Sequence, residues 1–306
     1  MPAPAGAPIG VVVNPSSALG RGARVARGVL AALAAEGVPA VELSGADAES
    51  CRAAVRRACE TGLRGLILVG GDGLIGLVIQ LAEARALPIG IVPAGSGNDF
   101  ARQFGLSPRP PRAVRRILAA EPSPRRVDLG VISLPDESAP SRAREHWFAG
   151  GCSVGFDAAI NRRANAIRLP LGPLRYHLAL LAELATLRSR PFTVVGDGGE
   201  HRFTGLLATA MNTRAIGGGI PLAPKAVTDD GRLDLVEVSH GSRLRVLSVL
   251  GLLARGRHER LPEVTITRVE RIRIEAGPEV AYADGERVGR GPFDVRVAPG
   301  ALALLA

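Results

Sequence analysis

The residues best suited to chemistry sit in two glycine-rich turns. Gly65-Leu66-Ile67-Leu68-Val69 reads as a buried strand and runs straight into Gly70-Gly71-Asp72-Gly73. Glycines at 70, 71 and 73 permit positive φ and let backbone N–H groups approach a ligand, while a helix starting near Leu74 adds free donors and a positive dipole end. That combination suits a nucleotide phosphate. Asp72 would be misplaced against phosphate itself, so its natural partner is a Mg²⁺ ion bridging phosphate oxygens. The plainer alternative is a turn that only closes an α/β connection.

A second such turn follows one unit later. The strand-like residues 89–92 lead into Gly95-Ser96-Gly97-Asn98-Asp99, so two phosphate-type loops fall at the same edge of a parallel sheet. Ser96 and Asn98 are placed to donate to phosphate or ribose, and Asp99 to cap a helix or hold a water on the metal. Asn98-Asp99 is otherwise a plain N-cap pair. A third polar turn begins at Asn14, which would touch nucleotide or brace the other two.

The elements that must position these turns are regular. Apolar runs at 9–14, 40–43, 66–69 and 89–92 alternate with helical stretches at about 22–36, 47–62, 74–86 and 98–105. This predicts an α/β N-terminal domain with an open parallel sheet over 1–127. Residues 128–306 predict a β-rich C-terminal domain, with short runs at 126–132, 146–150, 192–196, 203–211, 233–238, 264–267, 271–276, 280–283 and 293–297. Helical stretches fall near 157–168, 173–189 and 242–254, and the Pro-, Ser- and charge-rich residues 134–145 read as a mobile loop.

An ordered series now carries a resemblance. Asn14-Pro15, Gly70-Gly71-Asp72-Gly73, Gly95-Ser96-Gly97-Asn98-Asp99-Phe100-Ala101, Asp128-Leu129-Gly130, Gly155-Phe156-Asp157-Ala158, Asp230-Gly231-Arg232-Leu233-Asp234 and Asp284-Gly285-Glu286 occur in sequence, with Gly217-Gly218-Gly219 and Ala223-Pro224 between. Together they resemble the diacylglycerol kinase catalytic-domain family, which includes bacterial soluble lipid kinases and sphingosine kinases. The wider superfamily of NAD kinases and phosphofructokinases shares the Gly-Gly-Asp-Gly turn. The resemblance implies an NAD kinase/diacylglycerol kinase-like α/β domain, a β-sandwich second domain and a last strand that returns to the first.

It also implies ATP and Mg²⁺ as cofactors and a lipid alcohol such as diacylglycerol as acceptor. Glu286 resembles the family's proton acceptor, with Asp284 orienting it or sharing the Mg²⁺ network with Asp72. Read locally, Asp284-Gly285 is a hairpin turn with Glu286 a solvated neighbour. In relatives a structural Mg²⁺ is held by an aspartate and two carbonyls, which map to Asp230 and the carbonyls of Val227 and Arg232. The chain departs from the family after Gly73, where Leu74, Ile75, Gly76 and Leu77 replace a typical Thr and a later Asn and Glu. A hydroxyl donor at the helix start is therefore absent, which leaves a soluble-metabolite kinase or a catalytically silent nucleotide- or lipid-binding module as alternatives.

Composition bounds the rest. The chain has 306 residues, 46% of them hydrophobic, and no apolar run reaches the 18 or so needed to span a membrane. Residues 1–8 lead directly into a strand with no signal-peptide pattern, and three cysteines without metal-ligand spacing suit a reducing cytoplasm. The net charge of +9, with Lys225 the single lysine, fits transient peripheral contact with anionic lipid. Arg162, Arg163, Arg168, Arg175 and Arg188 would flank apolar faces at Leu169, Leu171, Leu174, Leu178 and Leu181 for such docking. With 3% aromatic residues and no recognition module, nucleic acid is not expected as a partner; a homodimer is left open.

Overall fold

The computed structural model describes residues 6–13, 21–136, 139–167, 174–239 and 241–306, without side chains at 21, 136, 139–142 and 174–177. The chain divides into two compact units, Met1–Val127 with Gly300–Ala306, and Asp128–Pro299.

In the first unit, β1 (Ile9–Val13), α1 (Arg21–Ala35), β2 (Ala40–Ser44), α2 (Ala48–Glu60), β3 (Gly65–Gly70), α3 (Asp72–Val78), α4 (Ala82–Arg85), β4 (Ile89–Pro93), α5 (Asp99–Gln103) and α6 (Pro110–Ala120) follow in order. The sheet is parallel, with β4, β3, β1 and β2 as neighbours in that order. β1, β3 and β4 are buried along their whole length, which is why they read as unbroken apolar runs rather than alternating ones. Val29 and Leu33 of α1 and Val114 and Ile117 of α6 complete this core. A Cβ at Gly90 would meet Ile117 Cδ1 at 2.7 Å, so the glycine in β4 admits α6 against the sheet.

Two local expectations change here. The helix expected over 74–86 breaks into α3 and α4, and α6 is a helix the sequence pattern left unassigned, begun by proline in its first turn.

The second unit is antiparallel and β-rich. It holds β5 (Arg125–Asp136, starting at the boundary), β6 (Ala139–Phe148), β7 (Gly151–Gly155), α7 (Phe156–Ala166), α8 (Leu174–Ala185), β8 (Arg190–Gly196), β9 (Gly199–Met211), β10 (Leu233–Ser239), α9 (Arg243–Leu253), β11 (Val264–Val269), β12 (Arg271–Glu275), β13 (Val280–Ala283), β14 (Glu286–Arg290) and β15 (Phe293–Leu305). Strands run in the order β14, β13, β7, β9, β8, β12, β15, with β10 between β9 and β11. Phe148, Phe192 and Phe293 are fully buried at its centre. β15 begins in this unit against β12, and its last residues, Leu304 and Leu305, pair in parallel with β4 of the first.

Within residues 134–145, expected as a mobile loop, the described residues 134–136 and 139–145 instead extend the β5–β6 pair, with Ser133 opposite Glu145 and Leu134 opposite Arg144. Leu134 is buried, and Arg296 reaches Glu145 at 2.8 Å. A single inward leucine and an ion pair outweigh the turn-like composition, and Pro135 sits where the register shifts, a place that tolerates a missing N–H. β7 and β14 likewise have no counterpart in the sequence pattern, because each is short and glycine-bearing.

Candidate functional site

In the first unit the two glycine turns touch backbone to backbone. A Cβ at Gly95 would lie 2.5 Å from Gly71 Cα, and one at Gly97 would lie 2.8 Å from Asp72 Oδ2. Only glycine permits that approach. The turns are tied by Asp72, whose Oδ2 and Oδ1 accept the backbone N–H groups of Asp99 and Phe100, each at 3.1 Å. Burial, and then the negative charge of Asp99, holds the Asp72 carboxyl above the usual carboxylate range.

Asn98 adopts the left-handed conformation at φ 59°. Its Oδ1 accepts the Gly95 N–H at 3.0 Å while its Nδ2 donates to the Gly95 carbonyl at 2.8 Å. The carboxamide therefore builds the turn, where the sequence suggested a phosphate donor. Asp99 receives Arg102 Nη2 at 2.9 Å, and Ser96 is exposed. Gly70 admits Leu74: a Cβ at Gly70 would meet Leu74 Cδ2 at 2.7 Å, and Leu74 is buried at 3% exposure. Gly73 is exposed, with no atom within 4 Å of where its Cβ would stand. Asn14 lies outside the described residues.

These residues fit a nucleotide triphosphate with its cation. Gly73 leaves room for a group that a side chain would otherwise fill, and Asp72 with Asp99 would offer the one or two hard oxygen ligands that a divalent cation typically takes from protein alongside phosphate. Among the described residues no group of three or more His, Cys, Asp or Glu side chains is gathered to hold a metal by itself.

The second unit presents Glu286 on a two-residue hairpin between β13 and β14. Asp284 and Gly285 have φ of 48° and 85°, the pair of positive angles that a tight hairpin of this twist requires. Ala283 pairs with Glu286 across the turn, and Glu286 is exposed. Asp284 is the anchor. Its Oδ2 accepts Ala149 N–H at 2.7 Å, and its Oδ1 accepts Gly150 and Gly151 N–H at 2.8 and 3.1 Å. From the other side, Asn165 of α7 donates to the Gly285 carbonyl at 2.8 Å.

Behind this hairpin lies a polar hub. Buried Asn212 donates from Nδ2 to the carbonyls of Asp128 and Ala149, both at 2.8 Å, while its backbone N–H reaches the Gly150 carbonyl at 2.8 Å. Asp128, 2% exposed, accepts the Gly231 N–H at 2.7 Å and donates its own N–H to Thr228. Asn212 escaped the sequence reading; its one signal was an amide at the end of an apolar strand. Asp157, noted only as part of a motif, accepts the Thr209 hydroxyl, and burial pushes its carboxyl up to about 6.

The turn proposed for a second cation is built as follows. Asp230 Oδ1 accepts the Arg232 N–H at 3.1 Å, and its Oδ2 lies 3.7 Å from Arg268. Val227 and Arg232 flank the turn, with Gly231 at φ 70°. Arg268 already balances part of the charge a cation would meet. The arginine face expected around α7 and α8 is also partly neutralised, since Arg163 and Arg162 both pair with the nearly buried Glu183, at 2.6 and 3.9 Å. Arg168, Leu169 and Leu171 lie outside the described residues, as do the side chains of Leu174 and Arg175. Leu178 and Leu181 are exposed. No helix among the described residues is long and apolar enough to cross a membrane.

Known proteins match along nearly all of this framework. Residues 8–132 match the diacylglycerol kinase catalytic domain, and residues 150–306 match the YegS C-terminal NAD kinase beta sandwich-like domain. A diacylglycerol kinase of Mycobacterium tuberculosis is 36% identical over 295 residues, covering 96% of this chain and 93% of that protein. A protein of Chromohalobacter salexigens described as a probable lipid kinase, YegS-like, is 33% identical over 263 residues, covering 82% and 78%. In fold, the crystal structure of a diacylglycerol kinase from Bacillus anthracis superposes with a TM-score of 0.70 at 18% identity, covering 97% and 96%. With two domain matches in the order of its two units and a relative this similar over almost its full length, the chain belongs to the diacylglycerol kinase catalytic-domain family of lipid kinases.

Proposed function

We propose that the chain is an ATP- and Mg²⁺-dependent kinase that phosphorylates the hydroxyl of diacylglycerol or a related lipid alcohol. The observation that supports this reading most is the presentation of Glu286 on a hairpin whose Asp284 is fixed by three backbone N–H groups. Phosphoryl transfer demands positioning above all, and a base held on a rigid turn meets that demand. The acceptor hydroxyl attacks the γ-phosphorus, the bond to the β-bridging oxygen breaks with ADP as leaving group, and the hydroxyl proton passes to a Glu286 carboxylate oxygen.

The glycine backbone at 71, 73, 95 and 97 would take the phosphates, with Asp72 holding Mg²⁺, which when bound supplies charge neutralisation to the phosphate oxygens. Asp284 acts on Glu286 by position, its oxygens holding the 149–151 backbone against the hairpin. The turn at Asp230, with the carbonyls of Val227 and Arg232, is proposed to hold a structural Mg²⁺. Transient attachment at the inner membrane face brings the enzyme to its acceptor.

A second reading, a nucleotide- or lipid-binding module without catalysis, is favoured by Leu74, which fills the helix start with a buried apolar side chain. The experiment that separates them is transfer of radiolabelled phosphate from ATP to a panel of lipid alcohols in mixed micelles, comparing wild type with Glu286→Gln. Labelling of one lipid, lost in the variant, supports the kinase and its base. ATP binding without transfer to any lipid supports the silent module, and transfer only to a water-soluble alcohol supports a soluble-metabolite kinase.

A further inference from the structure

Helix α9 breaks the usual rule for apolar helices. Its sequence, Arg-Leu-Arg-Val-Leu-Ser-Val-Leu-Gly-Leu-Leu, is apolar on every side, and such a helix is normally enclosed by protein or lipid. Here no residue of it is buried. Leu244 is 78% exposed and Leu247 44%, while Val246, Val249, Leu250, Leu252 and Leu253 are half-buried and Leu253 packs on the small core around Met211 and Val236. The N-cap is intact, Ser242 accepting the Arg245 N–H, so this is a well-formed helix with an uncovered face.

Its surroundings are cationic. From 241 to 258 there is no acidic residue, whereas Arg243, Arg245, Arg255 and Arg257 lie in or beside the helix and Arg260 follows. The nearest acids are spoken for: Glu263 holds Arg245 at 2.7 Å and Glu259 holds Lys225 at 2.9 Å. We infer that α9 is an interfacial helix that docks on an anionic phospholipid surface, with Leu244 and Leu247 entering the headgroup boundary and the surplus arginines meeting lipid phosphates. Apolar area with flanking arginine is the combination that holds a helix in the plane of such a surface. A second copy of the chain fits less well, because a two-fold contact sets a patch against itself and would place these arginines against one another. The inference stands apart from Glu286 and from turnover, since it concerns binding of a surface.

The test is co-sedimentation of the full chain, without nucleotide, with vesicles of phosphatidylglycerol and phosphatidylcholine in equal parts and with phosphatidylcholine alone. Wild type is expected on the mixed vesicles and off the neutral ones. Leu244→Glu with Leu247→Glu should lower the bound fraction about ten-fold and Arg243→Glu roughly five-fold, with circular dichroism unchanged. Transfer to a short-chain water-soluble acceptor should be the same in wild type and both variants, which separates loss of docking from loss of catalysis. Equal binding by wild type and the double variant overturns the inference, as does no binding by wild type. A change of sedimentation coefficient in the double variant with lipid binding intact would assign α9 to a protein contact instead.

Discussion

Asp284 Oδ1 lies 2.8 Å from the backbone nitrogen of Gly150, and a Cβ at position 150 would meet the same oxygen at 2.9 Å. The carboxylate and the missing side chain are therefore one device, which fixes the loop at 149–151 and aims the hairpin that bears Glu286.

Replacing Asp284 with alanine leaves three backbone donors without their charged acceptor. The expected cost is about 3 kcal/mol of stability, read as a lower urea midpoint. Asp284→Asn should cost less in stability yet still lower kcat, because its amide nitrogen cannot accept where a carboxylate oxygen did. Full stability in both variants would show that the loop holds itself.

Asp72 should set the acid side of nucleotide binding. Burial and the charge of Asp99 raise its pKa, so it takes up a proton at higher pH than an ordinary carboxylate, and the binding it supports is lost as pH falls through that raised value. Asp99→Asn removes the repelling charge. The acidic limb of ATP affinity should then move to lower pH, and a limb that stays put would remove Asp72 from the assignment.

Leu74→Thr restores the family's usual residue type but into an inward-facing position over Gly70. The lost packing and buried hydroxyl should cost about 2 kcal/mol, with no gain in ATP affinity. A ten-fold tighter KM for ATP in the variant would mean instead that position 74 faces phosphate.

Asp157 carries a proton in the folded chain up to about 6 against an ordinary value of 3.8. Its contribution to stability is present in full below 3.8 and is lost as pH rises through about 6, because the folded state binds the proton more tightly. Asp157→Asn cannot titrate, so denaturation curves across that window should show the variant gaining on wild type as pH rises. A constant difference between the two would place the titration elsewhere.

How much of this was legible depended on distance along the chain. The turns at Gly70–Gly73 and Gly95–Asp99, and the Asp284–Gly285 hairpin, could be read because glycine and tight-turn residues announce their own backbone geometry. What those turns bind to could not: Asp72 closes on amides 27 and 28 residues away, and Asp284 on amides 133 to 135 away. Local composition has no access to such partners, so the turn-building bonds of Asn98 were not foreseen and Asn212 drew no notice. The β5–β6 strands were hidden for a related reason, since one buried leucine and a remote arginine decide what the proline and serine content suggests otherwise.

The closing residues of β15 give the first unit a dependence on the order of synthesis. Its strand β4 gains Leu304 and Leu305 as neighbours only after all of Asp128–Pro299 has left the ribosome. Until then the nascent first unit carries an open, wholly apolar sheet edge, the kind of surface that recruits other chains. Cutting the gene at the unit boundary is therefore expected to yield an aggregation-prone fragment, because β4 would lack the strand that covers its edge.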